Sequence, residues 1–120
     1  VSTATRTRQT WAAASEAFPK ARAHFRADLY HADPGHLLAF VEIEAADETQ
    51  DTVMIVGHNP GLHALAIHLL QDSSASASII GRMERGFPTA TAAVFLADAA
   101  GRMHYDGLFL AHELGGGAGE

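Results

Sequence analysis

A histidine at a predicted strand-to-helix junction is the residue best placed for chemistry in this sequence. His58 follows the apolar run 53–56, which lacks polar alternation and so predicts a strand buried on both faces of a parallel sheet. Gly57 frees the backbone to turn. The apolar residues beyond it recur at helical spacing: Leu62, Leu65, Ala66 and Leu69. The N-terminus of that helix would offer N–H groups and a positive dipole, so His58 is predicted to lie beside an anion such as phosphate.

The start of this helix is set by the residues that follow the histidine. Asn59 is a candidate N-cap, and Pro60 is preorganised for a first helical turn. We therefore predict a helix over residues 61–70.

Arg6 is the second candidate, at the start of a predicted helix that follows a short Val-Ser segment. Its planar guanidinium can donate two parallel hydrogen bonds to phosphate oxygens. The helix dipole disfavours a positive charge near a helix N-terminus, so an arginine at this position indicates a functional role. Arg6 beside His58 would form a phosphate cradle. Taken singly, Arg6 is also compatible with a solvated arginine at a helix end, and His58 with a loop histidine that hydrogen-bonds to the backbone. Arg8 is interpreted as a surface charge.

The eight histidines do not have the spacing of a metal site. His58, His63 and His68 recur every five residues, which separates neighbours by about 140° around a helix. His31 and His36 share that spacing across a Pro-Gly turn, and the sequence has no His-Glu-x-x-His pattern. We expect no metal and no cofactor.

Composition narrows the class of protein. The chain has 120 residues, 48% of them hydrophobic, which is enough for one domain with a core. A net charge of −6 with eight Lys and Arg argues against a nucleic-acid binder. No apolar run approaches the roughly 20 residues of a membrane span, so no membrane partner is expected. Cysteine is absent, which excludes disulfides and is compatible with the cytoplasm, the location we expect.

The order of the predicted elements indicates an α/β layered domain. Helices are predicted over 3–18 and 34–45, and strands over 53–56, 89–96 and 102–109. The last two strands should form an antiparallel hairpin around the turn 97–101, and 24–29 is a candidate short strand. Connections are predicted at 46–52, 71–78 and 82–88, and the Gly-rich residues 115–120 should form a flexible tail. The predicted aromatic core residues are Trp11, Phe18, Phe40, Phe95 and Phe109.

Two motifs, in this order, resemble the histidine phosphatase superfamily. Residues 2–10, Ser-Thr-Ala-Thr-Arg-Thr-Arg-Gln-Thr, are similar to its Ser-x-x-x-Arg-x-x-Gln-Thr segment, and 57–61, Gly-His-Asn-Pro-Gly, to its second histidine motif. Leu-Tyr at 29–30 ahead of a Pro-Gly turn and Phe-Pro-Thr at 87–89 fit the small SixA-type phosphohistidine phosphatase branch. The resemblance extends over about residues 1–110.

The resemblance implies a three-layer α/β/α fold with a mostly parallel central sheet, like that of phosphoglycerate mutase, in which residues 1–114 form part of the domain. It also implies a nucleophilic histidine, within an Arg-His-Gly motif, that accepts the phosphoryl group and passes it to water. Arg6 and His58 would be the second arginine and second histidine, catalytic groups that bind the phosphoryl oxygens together with Asn59. The sequence contains no Arg-His-Gly, and we expect a missing N-terminal portion that holds this motif and the first strand.

The implied function is a hydrolase, a phosphatase acting on protein phosphohistidine or on a small phosphate ester. An alternative is a non-catalytic fragment or member that binds a phosphorylated partner, and a third is an unrelated α/β domain that happens to carry these residues. Four residues are candidates for the pocket rim: Ser2, Asp28, His31 and Thr89. Asp28 and His31 fall where many members hold a general acid, but each is equally compatible with an ordinary loop residue. The hydroxyls of Ser2 and Thr89 also have a backbone-bonding alternative.

Overall fold

Four α-helices and two β-strands make up the regular structure of the described residues, which are 1–47, 49, 51–73 and 75–111 of a computed structural model. The elements in chain order are α1 (Thr5–Ala14), α2 (Pro34–Ala45), α3 (Gly61–Asp72), α4 (Ala77–Glu84), β1 (Ala92–Ala97) and β2 (Met103–Phe109). The predicted tail 115–120 lies outside the described residues. The chain divides into two compact units between Leu62 and His63.

The predicted three-layer fold with a mostly parallel sheet is wrong. The described residues contain one sheet, in which β1 and β2 pair antiparallel, so the chain is a small mixed α/β domain. Residues 53–56, predicted as a strand, form no regular strand. The candidate strand 24–29 is reduced to an isolated parallel bridge between Arg26 and Ser2. An apolar run becomes a strand when a neighbour pairs with its backbone. Residues 53–56 instead line an open groove of about 1110 Å³.

In the first unit, the N-terminal residues connect two distant segments of the chain. The Ser2 N–H donates to the Val56 carbonyl at 2.9 Å, and the Arg26 N–H donates to the Val1 carbonyl at 2.8 Å. The predicted helix follows as α1, shorter than expected, and continues as a 3-10 turn over Ser15–Ala17 before Pro19. These two backbone hydrogen bonds hold in place the residues that lead into α1.

The helix α2 has the predicted bounds. Pro34 occupies its first turn, and the Asp33 carboxylate caps it by accepting from the His36 N–H at 2.8 Å. Leu37 is buried on the inward face. Because these signals are local, the sequence was sufficient to place this helix.

The helix α3 is also confirmed, but its start differs in detail. It begins at Gly61 and ends at Asp72, so Asn59 and Pro60 lie in the turn before the helix, and Pro60 precedes the first helical turn instead of belonging to it. The Leu62 N–H donates to the His58 carbonyl at 3.0 Å. His58 therefore precedes the two-residue turn that leads into the helix, close to the helix N-terminus as predicted, although the segment before it is not a strand.

The second unit packs its own apolar cluster, formed by Ala66, Leu70, Met83 and Leu108. The helix α4 supplies Met83 and was not predicted, since its sequence was interpreted as two connections. Ser76 caps α4 by accepting from the Ile79 N–H at 3.3 Å.

The predicted hairpin is confirmed as β1 and β2. Their pairing steps from Val94–Gly107 to Phe95–Tyr105, so Asp106 is the extra residue of a bulge. Two of the predicted core aromatics, Phe18 and Phe109, are 41% and 47% exposed. Within the described residues, none of the helices has the length and apolar character needed to cross a bilayer.

Candidate functional site

His58 is hydrogen-bonded to a buried serine from the other end of the first unit. Nε2 of His58 lies 2.7 Å from Oγ of Ser2, which is 0% exposed. The Ser2 backbone is held on both sides, because its N–H donates to Val56 and its carbonyl accepts from Thr7 Oγ1 at 2.8 Å. The serine hydroxyl therefore has a fixed position against the imidazole ring.

Tyr30 lies between two histidines. Its ring centroid is 4.3 Å from that of His31, in an edge arrangement, and 5.0 Å from that of His58 at a tilt of 60°. Both Tyr30 and His31 are in the turn that follows the 3-10 helix Ala27–Leu29, whose Leu29 is buried. The turn brings a second imidazole close to His58.

The environment of His58 favours its neutral form. Burial lowers the pKa of His58 below the ordinary value of 6.5, and electrostatic interactions with Arg6 and His31 lower this pKa further. Arg6 lies in the first turn of α1 with an exposed side chain. A bound anion would be attracted by the same charges that disfavour the imidazolium.

The structure therefore brings together Ser2, Arg6, His31 and His58, four of the residues selected from the sequence. Their assignment as a binding site stays a prediction. The arrangement offers an arginine fork and an imidazole, two groups that can donate hydrogen bonds to phosphate oxygens.

Asp28 has other partners. Its carboxylate oxygens lie 3.1 Å from Arg26 Nε and 3.1 Å from His36 Nε2. The hydrogen bond from Arg26 is the main reason that the pKa of Asp28 is lowered from 3.8, and His36 adds to it. A carboxylate held in its ionised form is poorly suited to donate a proton as a general acid.

The remaining predicted site residues are exposed. Asn59 lies in the turn that joins His58 to Pro60. Thr89 belongs to the second unit, where it lies in the turn before β1. Among the described residues, no group of three or more His, Asp or Glu side chains is arranged to hold a metal ion.

Two features of the site were not found from the sequence. Tyr30 was noted for its resemblance to the SixA-type branch and not as a ring against His58. Gly61 was noted as part of a motif, but it is buried against the carbonyl of Ala32, next to His31. The sequence signal that could have found the role of Tyr30 is its position beside His31, just before the predicted turn.

Comparison with known proteins gives relatives but no function. No family model matches the chain, and no solved structure matches it. Two uncharacterized proteins of Mycobacterium tuberculosis, one from strain CDC 1551 and one from strain H37Rv, are each 39% identical to it over 93 residues. The match covers 78% of the chain and 56% of each relative. The chain thus spans about half the length of the curated relatives it matches.

Proposed function

We propose that Arg6 and His58 form a phosphate-binding site, and that the protein is a phosphatase of the histidine phosphatase superfamily. The observation that supports this proposal best is the 2.7 Å contact of Ser2 Oγ with Nε2 of His58, which joins the two motifs, and the charge of Arg6 helps to lower the pKa of the same ring. These residues come from both motifs of the resemblance. An exposed arginine fork and a neutral imidazole can together donate hydrogen bonds to several oxygens of one phosphoryl group.

Phosphohistidine on a protein is the proposed substrate. Its P–N bond is labile, so its cleavage depends less on an enzymatic general acid than cleavage of a phosphate ester does. The engagement of Asp28 with Arg26 and His36 agrees with this substrate, because the carboxylate in the expected region for a general acid is already ionised and paired. A small phosphate ester is a weaker candidate for the same reason.

The nucleophile has to come from elsewhere in the proposed enzyme. The 120 residues contain no Arg-His-Gly, and the proposal places that motif in a part of a longer protein. The second candidate function is a phosphate-binding protein without catalysis that recognises a phosphorylated partner. Both functions require the same site, and they differ in turnover.

Binding is tested first by titrating the purified protein with inorganic phosphate in a calorimeter. His58→Ala and Arg6→Ala should each raise Kd by about 10- to 100-fold, the effect of removing a hydrogen bond to a charged group. The matched controls are His68→Ala and Arg102→Ala, which remove an exposed histidine and an exposed arginine of the second unit. If wild-type protein does not bind phosphate, or if all four variants bind equally, the proposed site is wrong.

Turnover separates the two functions. The full-length protein, including the part in which the proposal places the Arg-His-Gly motif, is incubated with a histidine-phosphorylated protein, and the released phosphate is measured over time. Release that His58→Ala abolishes and His68→Ala preserves supports the phosphatase. Phosphate binding without release supports the non-catalytic protein instead.

A further inference from the structure

The hydroxyl of Ser2 needs an acceptor for its hydrogen. Oγ is fully buried and accepts from the Ala4 N–H at 3.4 Å, which uses one of its lone pairs. A buried hydroxyl hydrogen without an acceptor is unfavourable. Nε2 of His58, 2.7 Å away, is the acceptor that the described residues offer to it.

We propose that Ser2 is a positioning residue that donates its hydroxyl hydrogen to Nε2 and so holds neutral His58 with its proton on Nδ1. A neutral imidazole carries one N–H, and an acceptor role for Nε2 assigns the proton to the other nitrogen. If Nε2 were protonated instead, it would donate to Oγ, and the serine hydrogen would have no partner. The lowered pKa of His58 agrees with a neutral ring.

The consequence for binding rests on the proposed phosphate site. Nε2 is engaged by Ser2, so Nδ1 is the ring nitrogen that can serve a ligand. Phosphate oxygens are acceptors, and a lone pair on Nδ1 would repel them, whereas an N–H on Nδ1 donates a hydrogen bond. Ser2 thus makes His58 a donor to the anion without giving the ring a charge.

The proton position is measured directly in the absence of phosphate. Protein labelled with ¹⁵N-histidine is studied at a pH above 6.5, the ordinary pKa of the ring, and multiple-bond ¹H–¹⁵N spectra distinguish the protonated from the unprotonated ring nitrogen. We expect Nδ1 of His58 to be protonated in the wild type, and Ser2→Ala to shift the population toward Nε2–H. A wild-type ring protonated on Nε2 overturns the proposal.

Two substitutions of His58 test the same point even if Ser2→Ala fails to fold. An asparagine places its amide nitrogen at the position of Nδ1, and a glutamine places it at the position of Nε2, because the number of bonds from Cα is the same. His58→Asn should therefore bind inorganic phosphate about 10-fold more tightly than His58→Gln, the effect of one hydrogen bond to a charged group. Equal affinities, or tighter binding by His58→Gln, contradict the role of Nδ1.

The two readouts keep this inference separate from the proposed function. If Nδ1 is protonated but phosphate does not bind, Ser2 controls the proton position and the phosphate site fails. If phosphate binds and Nε2 carries the proton, the phosphate site stands and the role of Ser2 is wrong. Ser2→Ala, when folded, should weaken phosphate binding by about 3- to 10-fold, since it removes the preference for Nδ1–H and not the ring itself.

Discussion

The α-carbon of Gly61, the first residue of α3, packs directly against the carbonyl oxygen of Ala32. A Cβ at this position would overlap with that oxygen and lie 3.2 Å from Cδ1 of Leu37. The oxygen belongs to the backbone and cannot swing away as the end of a side chain would. The contact therefore holds the turn that contains Tyr30 and His31 against the segment between His58 and α3.

Gly61→Ala should destabilise the protein for this reason. We expect a loss of about 1 to 3 kcal/mol in the free energy of unfolding, typical of overpacking at a tight site. The matched control is Gly35→Ala in the first turns of α2, where the added Cβ would meet a side-chain oxygen of Asp33 at 3.4 Å. Urea unfolding followed by circular dichroism measures both variants. Equal stabilities of the two would contradict the close approach at Gly61.

The cap of α2 should matter more than the cap of α4. Asp33 accepts from the His36 N–H at 2.8 Å, whereas Ser76 accepts from the Ile79 N–H at 3.3 Å. Asp33→Ala should lower the free energy of unfolding by about 1 kcal/mol, as expected for a lost N-cap. Ser76→Ala should lower it by less, because its hydrogen bond is longer. A larger loss for Ser76→Ala in the same unfolding measurement would reverse this order.

The pKa of His58 should depend on Arg6. Burial, Arg6 and His31 lower this pKa below 6.5. Arg6→Ala should raise the pKa while leaving it below 6.5, since burial, the largest cause, remains. Arg8→Ala, on the same helix, should leave it unchanged. Titration of the His58 ring resonances by NMR gives these values, and an unchanged pKa in Arg6→Ala would show that the arginine does not act on the ring.

The same shift predicts the sign of a pH effect on stability. The unfolded chain binds a proton at His58 near pH 6.5, while the folded protein binds it at a lower pH. The contribution of His58 is therefore fully present above pH 6.5 and is lost as the pH falls through the folded-state pKa. His58→Ala should remove this part of the acid dependence, which is observed by comparing unfolding curves of the two proteins across that window.

In the hairpin, Asp98 joins the turn to β2. One carboxylate oxygen accepts from the N–H groups of Ala100 and Arg102, each at 2.9 Å, and the other lies 2.9 Å from Nε2 of His104. The hydrogen bond with His104 is the main reason that the pKa of Asp98 is lowered from 3.8. Its stabilising contribution should therefore be present above pH 3.8 and be lost as the pH falls through the lowered pKa.

His104→Ala should raise the pKa of Asp98 toward 3.8, because it removes the largest cause of the shift. The control is His68→Ala, which removes an exposed histidine from α3. Carboxyl resonances followed by NMR during an acid titration give the pKa of Asp98 in each variant. No change in His104→Ala would mean that the turn N–H groups alone set this value.

Local signals in the sequence determined α2, α3 and the hairpin. Asp33 and Pro34 define the start of α2 within a few residues, and the turn near Asp98 separates two runs that pair with each other. These elements form from contacts between residues close in the chain, so a single sequence is sufficient to predict them.

Tertiary packing decided the elements that the sequence did not reveal. α4 was missed because its apolar residues lie among polar ones in a Ser-rich region, and Met83 becomes recognisable as a core residue only against Leu70 and Leu108. Residues 53–56 have the composition of a strand, but a regular strand needs backbone pairing along its length. The Ser2 N–H bonds to this run at Val56, at its end, and residues 53–56 line a groove. The residue types in a segment can favour strand formation, but a strand also requires a neighbouring segment to pair with its backbone.

For the candidate site too, the sequence and the tertiary structure determine different things. Residue types and motif spacing in the sequence alone selected Arg6, His58 and Ser2. The tertiary structure decided that Oγ of Ser2 meets Nε2 of His58, across a separation of 56 residues, and that Tyr30 lies between two imidazoles. A motif determines which groups are available, whereas hydrogen bonds between distant segments determine which atoms meet.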